Sequence, residues 1–313
     1  MLVSCGGRDG GSSGVIPSSD DDAVVMVRLD LAADSLVRGE DAELARSGAF
    51  GMWMSMTGDT LSSSPTAFAS TRRIAAFLPD VKAAFPPPCD SVASALGRVF
   101  AATGRQRSVY AVVSPFRQSV VLAGDTAVFI ALNHYLGSGH PAYSGFPAYQ
   151  RRQKTPSRIP LDVAEAVLAA SYPYVPPKAD VGGATALSRM LYEGALIELV
   201  MRATGVSEQE ALGWTPDELR WAAANERRVW DEMLRRRLLF STDPAVGTRL
   251  LDPAPSVPLV NASSPGRIGR FMGRRIVDSW LRATGSAPSA DRLLSPEFYN
   301  SRQTLGEAGY NPR

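Results

Sequence analysis

The apolar positions change their period as the chain proceeds. From Ala23 to Leu31 the run AVVMVRLDL is rich in β-branched residues and predicts a first strand. Helical spacing follows through roughly 42–56 and 66–78, until Phe85-Pro86-Pro87-Pro88 breaks the chain. Ser91 to Ala102 predicts a helix that Gly104 stops. Three short apolar runs, Val109–Val113, Ser119–Leu122 and Ala127–Ala131, are separated by Ser114-Pro115 and Gly124-Asp125, and they predict a three-stranded meander. The stretch 133–152, NHYLGSGHPAYSGFPAYQRR, is too rich in Gly, Pro and Tyr to stay regular and predicts a loop with aromatic anchors. After it the pattern is helical, over about 161–171, 185–203, 216–237 and 266–283. The 216–237 helix has a sharp start: Thr215 as N-cap, Pro216 at N1 and Glu218 closing a capping box. Strands early and helices late, with no internal repeat, predict an α+β fold. A short antiparallel or mixed sheet is expected to pack against several helices, with a predominantly helical C-terminal half, in a single domain over 23–313.

Two helical faces carry an intruder. Ala186, Met190, Glu193, Ile197 and Val200 share one face, and Glu193 is its single charged member. Leu219, Ala222, Glu226, Trp230 and Met233 repeat the pattern with Glu226. An ionised carboxylate left buried and unpaired costs several kcal/mol, so each Glu needs a partner. One reading is a structural ion pair with an arginine or lysine. The other is an acid/base pair lining one cleft.

Two helices that each offer an inward Glu have the skeleton of a gluzincin, in which the first helix carries His-Glu-x-x-His and the second a further Glu ligand. With Glu193 in the general-base position, the zinc-ligand positions fall on Tyr192 and Leu196. Leucine has no donor atom, so in this registry the metal site is lost.

Composition narrows the chemistry further. The 313 residues are 45% hydrophobic, ample for a substantial core. A net charge of +2 makes no case for a nucleic-acid partner. There are two histidines, His134 and His140, and two cysteines, Cys5 and Cys89, so neither a His-rich metal site nor a disulfide framework is expected, and no cofactor is implied. No apolar run reaches the roughly 20 residues that span a bilayer. Leu2-Val3-Ser4-Cys5 has the form of a lipobox, in which small residues precede a cysteine that is lipidated, and the Gly/Ser/Asp-rich stretch to Asp22 suits a flexible tether. The four residues before Cys5 are fewer than a secretory signal needs. From these residues alone, 1–22 reads either as a leader remnant and tether lipidated at Cys5 or as a tail with an ordinary cysteine.

Several segments together resemble the gliding-motility lipoprotein GldB family of Bacteroidetes. They are VVLAGDTAVFIALNHYLGSGHPAY (120–143), RIPLD (158–162), MLYEG (190–194), GWTPDELRWAAANERRVWDEMLRRRLLFSTD (213–243) and SSPGRIGRFMGRRIVDSWL (263–281). The likeness runs over roughly 24–300 and is densest after Val120. It implies a zincin-like fold with a degenerate metal site, no metal and no protease activity. It also implies a lipid-anchored envelope protein facing the periplasm, partnered by other motility and secretion proteins and held to the membrane through Cys5. The family usually has Gly-Lys after its Glu; here Gly194-Ala195 stands there, so no role for that Lys carries over.

Other candidates are weighed beside these. His134 and Tyr135, in a loop with His140, follow the Ala127–Ala131 strand and are expected to line the same cleft, as anchors that hydrogen-bond backbone rather than as metal ligands. Trp230 on the Glu226 stripe is a further cleft candidate. Ser264 and Pro265 predict a helix start, Gly269 and Gly273 a close approach of a neighbouring element, and Arg267, Arg270 and Arg274 a shared face able to pair with Glu193 or Glu226. Two functions remain open at this point. One is a non-catalytic module that binds a peptide or protein segment. The other is an envelope hydrolase, metal-dependent or not, that uses Glu193 and Glu226 as acid and base.

Overall fold

The computed structural model describes residues 24–57, 64–115, 117–177 and 183–312. The expected tether and Cys5 lie outside the described residues.

The first strand is shorter than the apolar run that predicts it. β1 spans Met26–Arg28, and helix α1, Leu29–Val37, begins at once. Helix α2, Gly48–Met56, is N-capped by the Ser47 hydroxyl, which accepts from Phe50 N. Its Trp53 donates through the indole N–H to Val113 O at 3.0 Å, and the Phe50, Trp53 and Phe68 rings meet edge to face. The expected 66–78 helix is three short ones, Pro65–Ala69, Arg72–Ala75 and Leu78–Ala84. Helix α3, Asp90–Thr103, ends on Gly104 in the left-handed region at φ 63°.

Strands β2 (Ser108–Val112), β3 (Val120–Ala123) and β4 (Ala127–Ala131) lie close to where the apolar runs place them, but they do not form a meander. The sheet order is β1-β2-β4-β3. β2 runs parallel to β1 and to β4, and β3 pairs antiparallel with β4 at the edge. Period-2 apolarity finds strands but does not name their neighbours. Burial sorts them: all five residues of β4 are buried, as suits a strand paired on both sides, whereas all four of β3 are half-exposed, as suits an edge. The Asn133 amide ties the ends of β2 and β4 together. It donates to Ser114 O and accepts from Ser114 N, each at 2.8 Å, while buried.

Helices supply the rest. α4 is Ile159–Ser171 and α5 is Ala186–Thr204. α6 is Glu208–Leu212, followed by α7, Pro216–Ala224, with the predicted Thr215/Glu218 capping box formed. The single helix expected over 216–237 is interrupted at Asn225 (φ −114°, ψ 12°), and α8 runs from Glu226 to Arg235. The Asn225 amide donates to Trp221 O at 2.8 Å, competing with the backbone ladder as a short polar side chain does. Helix α9 is Pro244–Leu251 and α10 is Ile268–Thr284.

The start of α10 corrects another expectation. Ser264 does not cap it. Ser264 is buried in the preceding loop, with its carbonyl accepting from Val257 N. Arg267 is the N-cap residue instead, held left-handed at φ 64°. The glycine spacing is used as predicted: a Cβ on Gly269 would press on Leu250 of α9, and one on Gly273 would overlap the Met190 carbonyl of α5. Gly194 answers from the other side, since a Cβ there would overlap the backbone of Gly273 and Arg274. This glycine-to-glycine contact lets α5 and α10 lie nearly backbone to backbone. That approach sets the distance from Glu193 to the arginines of α10.

Candidate functional site

Glu193 projects from α5 toward α10, and its partner is Arg270. The guanidinium Nε donates to Glu193 Oε2 at 2.8 Å, and Nη2 is shared between Glu193 and Glu165 of α4. One turn earlier on α4, Asp162 lies on the same face as Glu165. Asp162 accepts from Tyr135 Oη at 2.8 Å and from Arg158 Nη2 at 2.9 Å. Arg158 also donates to Glu210 O at 2.6 Å, and Arg267 donates to Leu212 O at 3.0 Å, so two guanidinium groups cap the C-terminal carbonyls of α6. Three carboxylates and three arginines thus converge from α4, α5 and the start of α10.

Exposure is unequal within this cluster. The side chains of Glu165, Asp162 and Glu193 keep 30%, 26% and 22% of their surface, against 8% for Arg270 and 9% for Arg158. The arginines are therefore buried struts, and the acidic side chains are the more exposed members of the cluster. Its charges are strongly perturbed. Burial would raise Glu165, but Arg270 overrides it and, with the charges of Arg267 and Arg158, holds its carboxyl down to about 2. Burial raises the Asp162 carboxyl despite the opposing pull of Arg158 and Tyr135. Burial and the neighbouring Arg270 charge lower Arg267 to about 10. Lys154, whose ammonium lies over the Tyr143 and Phe146 rings at 5.0 and 4.8 Å, is lowered by burial.

A family model described as gliding motility protein GldB matches residues 67–312. The chain belongs to this family. No curated protein and no solved structure matches it. Every residue of the charged cluster lies within the matched span of this GldB-family chain. The family is one of gliding motility lipoproteins, which suggests a membrane-anchored place in the cell envelope. Among the described residues no helix is long and apolar enough to cross a membrane.

The GldB fold does not bring Glu193 and Glu226 to one site. Glu226 stands at the first turn of α8, where Tyr310 Oη donates to it at 2.7 Å and Arg275 Nε lies 3.5 Å away. Arg270 and Arg275 are five residues apart on α10, about 140° around its axis, so the two Glu meet different sides of that helix. Glu226 belongs to a second network in which Arg274 binds Glu198 at 3.1 Å and Glu208 at 2.8 Å, and Arg275 binds Glu208 at 3.0 Å. Of the shared arginine face, Arg270 takes Glu193 as expected, Arg274 takes Glu198 and Glu208, and Arg267 takes a carbonyl.

The remaining candidates divide between the cluster and the core. Tyr135 joins the cluster through Asp162. His134 Nδ1 meets Ser119 Oγ at 3.0 Å beside it. His140 lies elsewhere, with Nε2 3.3 Å from Asp80, so the two histidines do not form a pair. Trp230 is buried edge-on against Tyr310 at 5.0 Å and is a core residue. Tyr192 is buried with its hydroxyl on Tyr172 O, and Leu196 is buried. No group of three or more His, Cys, Asp or Glu able to hold a metal occurs among the described residues. Sequence reasoning passed over Asp162 and Glu165. Their signal is the one that exposed Glu193: two acids on a helix otherwise built of Leu161, Val163, Ala164, Val167 and Leu168.

Proposed function

We propose that this GldB-family protein is a lipid-anchored, periplasm-facing subunit of the gliding motility and surface-protein secretion machinery. It acts as a non-catalytic, zincin-like module that binds a peptide or protein partner at the charged cluster. The observation that carries this reading is Arg270. A gluzincin sets a metal between donors on one helix and a Glu on a later helix. Here Glu193, the residue in the general-base position, is instead held by a guanidinium that also binds Glu165 on α4. A buried arginine with its charge matched by carboxylates is a fixed structural cation, not a Lewis acid with an open coordination site.

A hydrolytic reading keeps one specific observation. Asp162 is raised and Glu165 is held to about 2 in the same cluster, and carboxyl groups pushed apart in this way can divide acid and base roles. The pair would then be Asp162 and Glu165 rather than Glu193 and Glu226.

Cross-linking and affinity capture from native envelopes test the first reading. Recovery of motility or secretion components is expected. Stoichiometric zinc in the purified protein, or turnover of envelope peptides or glycans that Glu165→Gln abolishes, would overturn it. Labelling with a palmitate analogue is expected to depend on Cys5.

A further inference from the structure

Helices α7 and α8 and the loop that follows α9 enclose a pocket of about 300 Å³ whose lining shares no residue with the Arg270 cluster. Arg228, Glu232 and Arg236 are spaced by four, so they stack along one face of α8 and its C-cap residue. Trp221 of α7 and Asn261 of the loop contribute to the lining. The loop is pinned in place: Val257 O accepts from Val260 N at 3.0 Å and from Asn261 N at 3.1 Å. Asn261 Oδ1 in turn accepts from Ser263 N at 2.8 Å.

The polar groups of this pocket are mostly donors. Glu232 is the single acid in the lining, and Arg235 and Arg236 both donate to it. Those bonds hold its carboxyl down to about 2, so it is ionised at neutral pH. Arg228 is exposed and, among the described residues, makes no hydrogen bond or ion pair. The Trp221 indole N–H and Asn261 Nδ2 donate to no group among the described residues either. Since Glu232 answers both Arg235 and Arg236 while Arg228 stands alone, the pocket keeps an excess of positive charge.

Size and walls narrow the ligand. Val229 and Val260 are buried and, with the Trp221 ring, give the pocket an apolar side. A bare inorganic ion would leave that side uncovered, whereas a body of amino-acid size would fill it. A guanidinium fork suits a carboxylate or a phosphate. Glu232 separates the two, because a phosphate ester brings a second negative charge toward it and a carboxylate brings only one.

We propose that this pocket binds a monoanionic carboxylate carried on a small apolar or aromatic body. Arg228 receives the carboxylate, Arg236 adds to the positive field, and the body lies against Trp221 and Val260. The site is separate from the Arg270 cluster, so it stands or falls independently of the function proposed there.

The test uses the full chain and titration calorimetry, with N-acetylphenylalanine, its amide and phenyl phosphate as probes. The acid is expected to bind at least about tenfold more tightly than the amide, with affinity falling as salt rises. Phenyl phosphate is expected to bind more weakly than the acid, and Glu232→Gln to narrow that gap. Arg228→Gln is expected to bring the acid down to the level of the amide with the melting temperature kept, since Arg228 is exposed and has no partner to lose. Arg249→Gln, a change at another exposed arginine outside the pocket, is expected to leave binding as it is. Equal binding of acid and amide, no binding of the acid, or binding that survives Arg228→Gln overturns the proposal. An equal loss from Arg249→Gln does so too, because diffuse surface charge would then explain the binding. A phosphate ester that binds as tightly as the acid overturns the carboxylate assignment. The comparison of acid with amide needs no variant and gives the answer should Arg228→Gln fail to fold.

Discussion

Two arginine–carboxylate networks flank helix α10, and they differ in what faces water. In the Arg274/Arg275 network the central partners are both enclosed: Glu198, Glu208 and Arg274 retain only 5%, 11% and 13% of their side-chain surface. That arrangement clamps α5, α6 and α8 to α10. In the Arg270 network the arginine is enclosed and the acids are partly exposed, at 30% for Glu165 and 22% for Glu193. The same residue types and bonds therefore make a closed clamp on one side of α10 and a more open cluster on the other. Counting ion pairs would not separate them; the exposure of the acids does.

The largest expected effect breaks the open network. Arg270→Met strands Glu165 and Glu193 without a counter-charge, and a loss of about 3–5 kcal/mol is expected in urea unfolding at neutral pH. Arg274→Met is the matching break in the clamp. A loss of about 2–4 kcal/mol is expected because Glu208 keeps Arg275 as a partner. If the Arg270 variant proves as stable as the wild type, the strut role assigned to this arginine is wrong.

The pH dependence sharpens the contrast. The Glu165 carboxyl lies at about 2 in the folded protein, below its ordinary value of 4.5. Its contribution to stability is present above pH 4.5 and is lost as pH falls toward 2. Asp162 is raised, so its sign is opposite: it favours the folded state below its unfolded value and loses that contribution as pH rises through its folded value. Stability measured from pH 7 downward is therefore expected to gain slightly as Asp162 takes up its proton and then to fall steeply. Asp162→Asn is expected to remove the gain alone, and Arg270→Met to blunt the fall.

Smaller effects complete the series. Tyr135→Phe removes one hydrogen bond to Asp162, and a loss of about 1 kcal/mol is expected. Glu226→Gln is expected to cost about 0.5 kcal/mol or less, because its arginine lies 3.5 Å away and the Tyr310 hydroxyl can still donate to the amide oxygen. It is also expected to leave partner capture unchanged, and a loss of capture would put Glu226 back in the functional site.

Much of the fold is legible before any coordinates. β4 matches its apolar run, β2 and β3 lie within a residue of theirs, and α5 and the Thr215 capping box are where periodicity and cap chemistry place them. Strand order is not legible, because β2, β3 and β4 have similar local patterns and only burial on both sides marks β4 as central. The break at Asn225 is a one-residue competition that a 22-residue apolar pattern conceals.

The carboxylate on the apolar face of α5 shows the same division. Helical spacing alone establishes that Glu193 sits on the packed face of α5 and requires a cation, since that depends only on residues within a few turns. The companion is a different matter. Glu226 looks like the natural partner because it repeats the pattern. The approach of Gly194 to Gly273 instead brings α10 within reach, and Arg270 joins Glu193 to Glu165 on α4. Which charge answers which is settled by how closely backbones approach across long stretches of sequence, and only the packed structure contains that distance.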